Sequence, residues 1–128
     1  MDANTPKFTF TDTASLVVII KSPAQHGRLV IHQYPDLPVD VDLTAGPGLE
    51  LNFIGNVRVN NGDAFVILRN YGAGATIGEF AGYPEGTKVY FGAASGTLTY
   101  GYDFDEDGVK NDVAIKDIRL NGTVVIVR

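Results

Sequence analysis

The residues best suited to chemistry lie in Asp103-Phe104-Asp105-Glu106-Asp107-Gly108. Carboxylates fall at positions 1, 3 and 5 of this stretch and glycine at position 6, the spacing by which alternate side chains of a tight loop turn toward one centre. Hard oxygen donors gathered in this way suit a hard cation, and without one the close carboxylates would repel each other. Asn111 and Asp112 follow at positions 9 and 10 and can complete a shell, helped by a backbone carbonyl near Val109. The expected metal ligands are therefore Asp103, Asp105, Asp107, Asn111 and Asp112, and the expected ion is calcium, because flexible, carboxylate-rich loops favour the larger cation over magnesium. The helix–loop–helix calcium motif does not fit: position 12 is Ala114 instead of Glu, and strand patterns flank the loop. The competing reading is a solvated acidic hairpin loop.

Other constellations carry less. His26 and His32 would share one face of a strand around Gly27, but no Glu or Cys stands at metal-ligand spacing beside them. Ser95, in Ala93-Ala94-Ser95-Gly96, lacks the glycine two residues earlier that a nucleophile elbow requires. Gly72, Gly74 and Gly78 miss the dinucleotide-binding spacing and read as a loop. Asp40 and Asp42 read as solvated residues on the outer face of an alternating strand. Tyr100, Tyr102 and Phe104 form an aromatic ladder that would stack on sugar rings if it faced solvent; Leu98 on the same face argues for core packing instead. No catalytic constellation emerges, and the chain reads as non-enzymatic.

The elements that must position the loop are short strands. Apolar residues alternate at Phe8 and Phe10, run continuously over Leu16–Ile20 and Leu29–Ile31, and alternate again in Val39–Leu43, Leu49–Phe53 and Val57–Val59. Asn60-Asn61-Gly62-Asp63 reads as a primed hairpin turn leading into Ala64–Leu68, a strand buried on both faces. Thr76–Phe80 reads as a short strand or bend. Lys88–Phe91, Thr97–Phe104, Val113–Leu120 and Thr123–Val127 complete the pattern, the last two joined by Asn121-Gly122. No stretch shows helical spacing, and no linker divides residues 1–128, which read as a single β-domain.

Composition narrows the function classes. The 128 residues carry a formal charge of −5 with only ten Lys and Arg, so a phosphate-neutralising patch, and with it nucleic acid as a partner, is not expected. There is no cysteine for a disulfide or a thiolate zinc site, and no tryptophan for a sugar platform. The longest wholly apolar run, Leu16–Ile20, is far short of the ~20 residues that span a bilayer, so membrane insertion is not expected. Met1-Asp2-Ala3-Asn4 shows neither a basic n-region nor an apolar h-region, and no signal peptide is read there.

One resemblance covers about half the chain. Gly62-Asp63-Ala64-Phe65-Val66-Ile67-Leu68, Gly78-Glu79-Phe80, Gly82-Tyr83-Pro84-Glu85-Gly86, Leu98-Thr99-Tyr100 and Asp107-Gly108-Val109-Lys110-Asn111-Asp112-Val113 occur in that order. This succession resembles the autotransporter-associated β-strand pattern near the C-terminal end of passenger segments of bacterial surface proteins, with Tyr83 in place of the usual Leu and two residues inserted after Gly108. The Asp-Phe-Asp-x-Asp-Gly stretch also looks like the calcium loops of bacterial surface repeats. The resemblance implies an extracellular or cell-surface, non-catalytic module of a larger secreted or surface protein.

The expected fold is all-β, a two-sheet β-sandwich of Greek-key or jelly-roll type with about ten short strands; the alternative is a β-solenoid cap. The expected function is a calcium-stabilised extracellular structural or adhesive module. It would associate with other copies of itself or with neighbouring modules, and Thr5–Thr11 is a candidate donated strand. The alternative is a carbohydrate-binding module using exposed tyrosines, with a glycan as partner.

Overall fold

The computed structural model describes residues 6–22, 25–31, 38–55, 57–70, 73–104 and 108–120. Among these residues there is no helix, and eleven strands form three sheets. The all-β expectation is met. The strands are β1 (Lys7–Thr9), β2 (Ser15–Ser22), β3 (Gln25–His26), β4 (Leu29–Ile31), β5 (Asp40–Leu43), β6 (Gly48–Phe53), β7 (Phe65–Asn70), β8 (Thr76–Gly78), β9 (Lys88–Phe91), β10 (Ala94–Tyr102) and β11 (Asp112–Leu120). The first sheet runs β1-β5-β8, the second β3-β2-β6 and the third β4-β7-β11-β10-β9.

The sheets share one core, consistent with a β-sandwich, and number three where two were expected. Their connectivity is that of the solenoid alternative. The chain visits the first, second and third sheets in turn with β1, β2 and β4, and again with β5, β6 and β7, before returning to the first with β8. Each strand therefore lies beside its counterpart one circuit later, and the pairing is parallel: Lys7 opposite Asp40, Ser15 opposite Gly48, Leu29 opposite Leu68, and Val41 opposite Thr76. Greek-key hairpins would pair these strands antiparallel. Parallel neighbours need a long crossover, and here the other two sheets supply it. The remaining strands close the third sheet with antiparallel pairs, β7 to β11, β11 to β10 and β10 to β9.

Alternation explains which side of each strand faces in. In β5, Val41 and Leu43 are fully buried while Asp40 and Asp42 are partly exposed. In β2, Val18 and Ile20 are buried and Val17 and Ile19 face out. β7 lies between β4 and β11 and buries four successive apolar residues, as its unbroken run predicts. The sheets meet through aromatic rings: Phe53 of the second stacks on Phe91 of the third at 4.5 Å, and Phe10, beside β1, meets Phe80 edge-on at 6.0 Å.

Two local readings change. Val57–Val59 is not a strand, although Val59 is buried in the core. Asn60–Asp63 accordingly makes a turn but no hairpin. Gly62 takes φ +91° there, and the turn docks on β11: the Gly62 amide donates to the Ile118 carbonyl at 2.9 Å and the Leu120 amide to Asn61 Oδ1 at 3.0 Å. The expected strand Thr123–Val127 and its turn Asn121-Gly122 lie outside the described residues.

Gly74 fixes the junction between the first and third sheets. A Cβ on it would sit 2.0 Å from the Val39 carbonyl oxygen, so only glycine lets the two backbones approach this closely.

Candidate functional site

The acidic loop joins β10 to β11, and its two ends fold back onto the protein. Asp103 Oδ2 accepts from the Gly108 amide at 2.9 Å, closing the loop on itself. Asp112, at the start of β11, is 1% exposed. Its Oδ1 accepts from the Asn70 amide at 2.8 Å and its Oδ2 from the Phe104 amide at 3.0 Å. One carboxylate thus ties the end of β7 to the beginning of the loop, across 42 residues of sequence. Such charge-assisted bonds are stronger than neutral ones.

Asn111, 4% exposed, also turns inward: its Nδ2 donates to the Gly74 carbonyl at 2.6 Å. The Asn111 carbonyl accepts from the Thr76 hydroxyl at 2.6 Å. The same Gly74 carbonyl accepts from Asn70 Nδ2 at 3.3 Å, and Ala75 O lies 3.4 Å from that nitrogen. Asn70, Gly74, Asn111 and Asp112 therefore form a buried polar cage at the end of β7. Within it, Asn70 Oδ1 is buried without any hydrogen-bond partner.

Of the five expected ligands, Asp103, Asn111 and Asp112 are brought to this end of the molecule, while Asp105 and Asp107 lie outside the described residues. Among the described residues no three His, Cys, Asp or Glu side chains converge as a metal-binding group. Asn70 and Gly74, which complete the cage, had no signal in the local spacing, because they reach it only through the pairing of β7 with β11.

Two arginines also went unmarked by the sequence pattern. The guanidinium carbons of Arg69 and Arg28 lie 4.6 Å and 5.5 Å from the centroid of the Phe104 ring. Cation–π attraction holds positive charge at the second residue of the acidic stretch. The protein thus places two positive side chains beside the first turn of the acidic stretch.

The remaining candidates have structural uses. His26 Nε2 lies 3.1 Å from the Val66 carbonyl and its ring meets Phe65 edge-on at 5.4 Å, joining the second sheet to the third; His32 lies outside the described residues. Ser95 is buried within β10. Asp40 and Asp42 are not merely solvated: Asp40 Oδ1 accepts from the Ala75 amide at 2.9 Å, and Asp42 Oδ1 accepts from the Thr44 amide and hydroxyl at 2.9 and 2.6 Å. The bonds from Thr44 hold the Asp42 carboxyl below its ordinary pKa.

Tyr100 is a packing and bonding residue. Its hydroxyl donates to the Tyr83 carbonyl at 2.5 Å and accepts from the Phe80 amide at 3.0 Å, clipping the Gly82–Gly86 turn to β10. Burial, with the charges of Glu79 and Glu85 adding to it against the Phe80 bond, pushes the phenol up to about 12. Tyr102 is half-buried, and the tyrosine most open to solvent among the described residues is Tyr90, on the outer face of β9.

No protein-family model matches this chain, and neither a curated protein nor a solved structure matches it.

Proposed function

We propose that this protein is a non-catalytic, calcium-stabilised structural or adhesive β-module that works outside the cell. The observation that carries the reading is the parallel register of successive circuits. An architecture in which each circuit templates the next stores its function in stacking, in surface and in stiffness. The strands of the first circuit, β1 and β4, end their sheets with one edge unpaired among the described residues, the kind of edge on which neighbouring modules or further copies add. His26 and Ser95, weighed for catalysis, do not compete with this role, since both serve the sheets.

The calcium part rests on Asp103 and Asp112 bracketing a loop rich in carboxylates. An ion held there binds the folded state and stabilises it by mass action, stiffening the joint between β10, β11 and β7. The expected result is a higher Tm in millimolar calcium than in chelator, with the rise reduced by Asp103→Asn. A Tm indifferent to calcium contradicts the metal. Size-exclusion chromatography of the full chain and of a variant lacking residues 1–12 tests assembly: a concentration-dependent oligomer that disappears with the segment supports it, and identical monomers contradict it.

A further inference from the structure

We infer that the open edge of β6 and the apolar groove at Phe53 form a strand-docking site, and that its occupant is the chain's own Thr123–Val127. The inference is independent of the calcium reading.

β6 ends the second sheet, and among the described residues it pairs with β2 alone. Both earlier circuits place a strand in that sheet, but from β8 the chain passes to β9 in the third sheet without doing so. Only the Ala81 amide, which donates to the Pro47 carbonyl at 2.8 Å, ties the intervening loop to the start of β6. The amides of Gly48 and Ile54 donate to the Ala14 and Ile20 carbonyls, on the β2 side. Backbone groups alternate in direction along a strand, so those of Leu49, Leu51 and Phe53 face the other way, toward the open edge. Such an edge is a template for a further strand.

The place where the chain leaves β11 selects the occupant. Leu120 pairs with Ala94 of β10 on one side. On the other side its amide donates to Asn61 Oδ1, and the Ile118 carbonyl accepts from Gly62. A two-residue reversal at Asn121-Gly122 would need that same Leu120 amide for Thr123, so the hairpin expected from the sequence has no free side of β11 to return along. Leu120 is 56% exposed and lines, with Phe53, Gly55, Val57, Phe91 and Ala94, a cavity of about 210 Å³. Thr123 stands three residues beyond it, a reach of ~10 Å in extended chain. Val124-Val125-Ile126-Val127 is an unbroken β-branched run, the composition of a strand buried on both faces. Seated at β6, it covers the edge that would otherwise recruit another chain and leaves association to β1 and β4.

Amide hydrogen exchange of the full chain, read by NMR in wild type and in Ile126→Asp, tests the docking. With the segment seated, the Leu51 and Phe53 amides are protected in wild type at every protein concentration. In the variant they exchange roughly tenfold faster or more, while Gly48 and Ile54, which bond the β2 side, keep their rates. Unprotected Leu51 and Phe53 amides in wild type, or equal protection in both proteins, overturn the inference. Protection that appears only as concentration rises assigns the edge to a second copy and overturns it as well. If the variant does not fold, the wild type decides: nuclear Overhauser contacts between the Phe91 ring and the methyls of Val124–Val127 support the docking, and their absence contradicts it.

Discussion

The parallel circuits of β1 to β8 and the antiparallel closure of β9 to β11 solve the same problem by different means. Within the closure β9, β10 and β11 follow one another along the chain, and their mutual register is set locally. β9 and β10 join through a short turn in which Gly92 takes φ +61°, and β10 and β11 keep their pairing through a bulge. In the circuits, paired strands are separated by a whole turn of the chain, so no hairpin can set register. It is set by contacts at a distance: Gly74 against the Val39 backbone and Asp40 on the Ala75 amide. The difference teaches that the polar groups at the circuit ends do the positioning that turns do elsewhere.

The sharpest break in this comparison is Gly74→Ala. The new Cβ meets backbone that cannot swing aside, so β5 and β8 must separate, and a loss of about 3 kcal/mol or more is expected in urea unfolding. Loss of less than about 1 kcal/mol would mean that the circuits adjust freely and that close approach does not set their register.

On the antiparallel side the matching position is Asp117. It takes φ 52° at the point where Ser95 pairs with Arg119 but Thr97 with Lys116, so one extra residue is inserted in β11. Aspartate tolerates the left-handed conformation better than a β-branched residue does. Asp117→Val is expected to lower stability by about 2 kcal/mol. An unchanged midpoint would show that the bulge is not needed.

A smaller effect is expected at Tyr100, which clips the turn after Phe80 to β10. Tyr100→Phe removes the bond to Tyr83 and leaves the Phe80 amide without its acceptor, a loss of about 1 kcal/mol. The pH dependence follows from the raised phenol. With a folded pKa of about 12 against an ordinary 10.0, the folded state holds its proton where the unfolded state has lost it. The contribution is complete below pH 10.0 and disappears as pH rises through about 12. Wild-type stability should therefore fall over that window more steeply than that of Tyr100→Phe; parallel curves would remove the assignment.

Much of the strand pattern is legible in the sequence, because alternation and β-branched runs record burial. Val41 and Leu43 face in, β7 is buried on both sides, and Lys88–Phe91 matches β9 residue for residue. What alternation does not record is the partner. A strand buried on one face reads the same whether its neighbour runs parallel or antiparallel, so the connectivity of a Greek key and that of a solenoid stay equivalent until pairing is seen. Val57–Val59 shows the reverse limit: it has the period of a strand, and Val59 is buried, yet it pairs with nothing as a strand among the described residues.

The candidate site is legible only along the chain. Asp103, Asn111 and Asp112 are marked by spacing within one loop. Asn70, Gly74, Arg28 and Arg69 enter through tertiary pairing, and no local pattern points to them. Asp40 and Asp42 failed in the other direction: alternation places them correctly on the outer face but cannot reveal that each bonds a backbone amide.

Isothermal titration of calcium into chelator-treated protein tests the central claim most directly. The account predicts saturable binding near one ion per chain, weakened in Asp103→Asn. Heats no larger than those of dilution would contradict it, leaving a β-module without its metal.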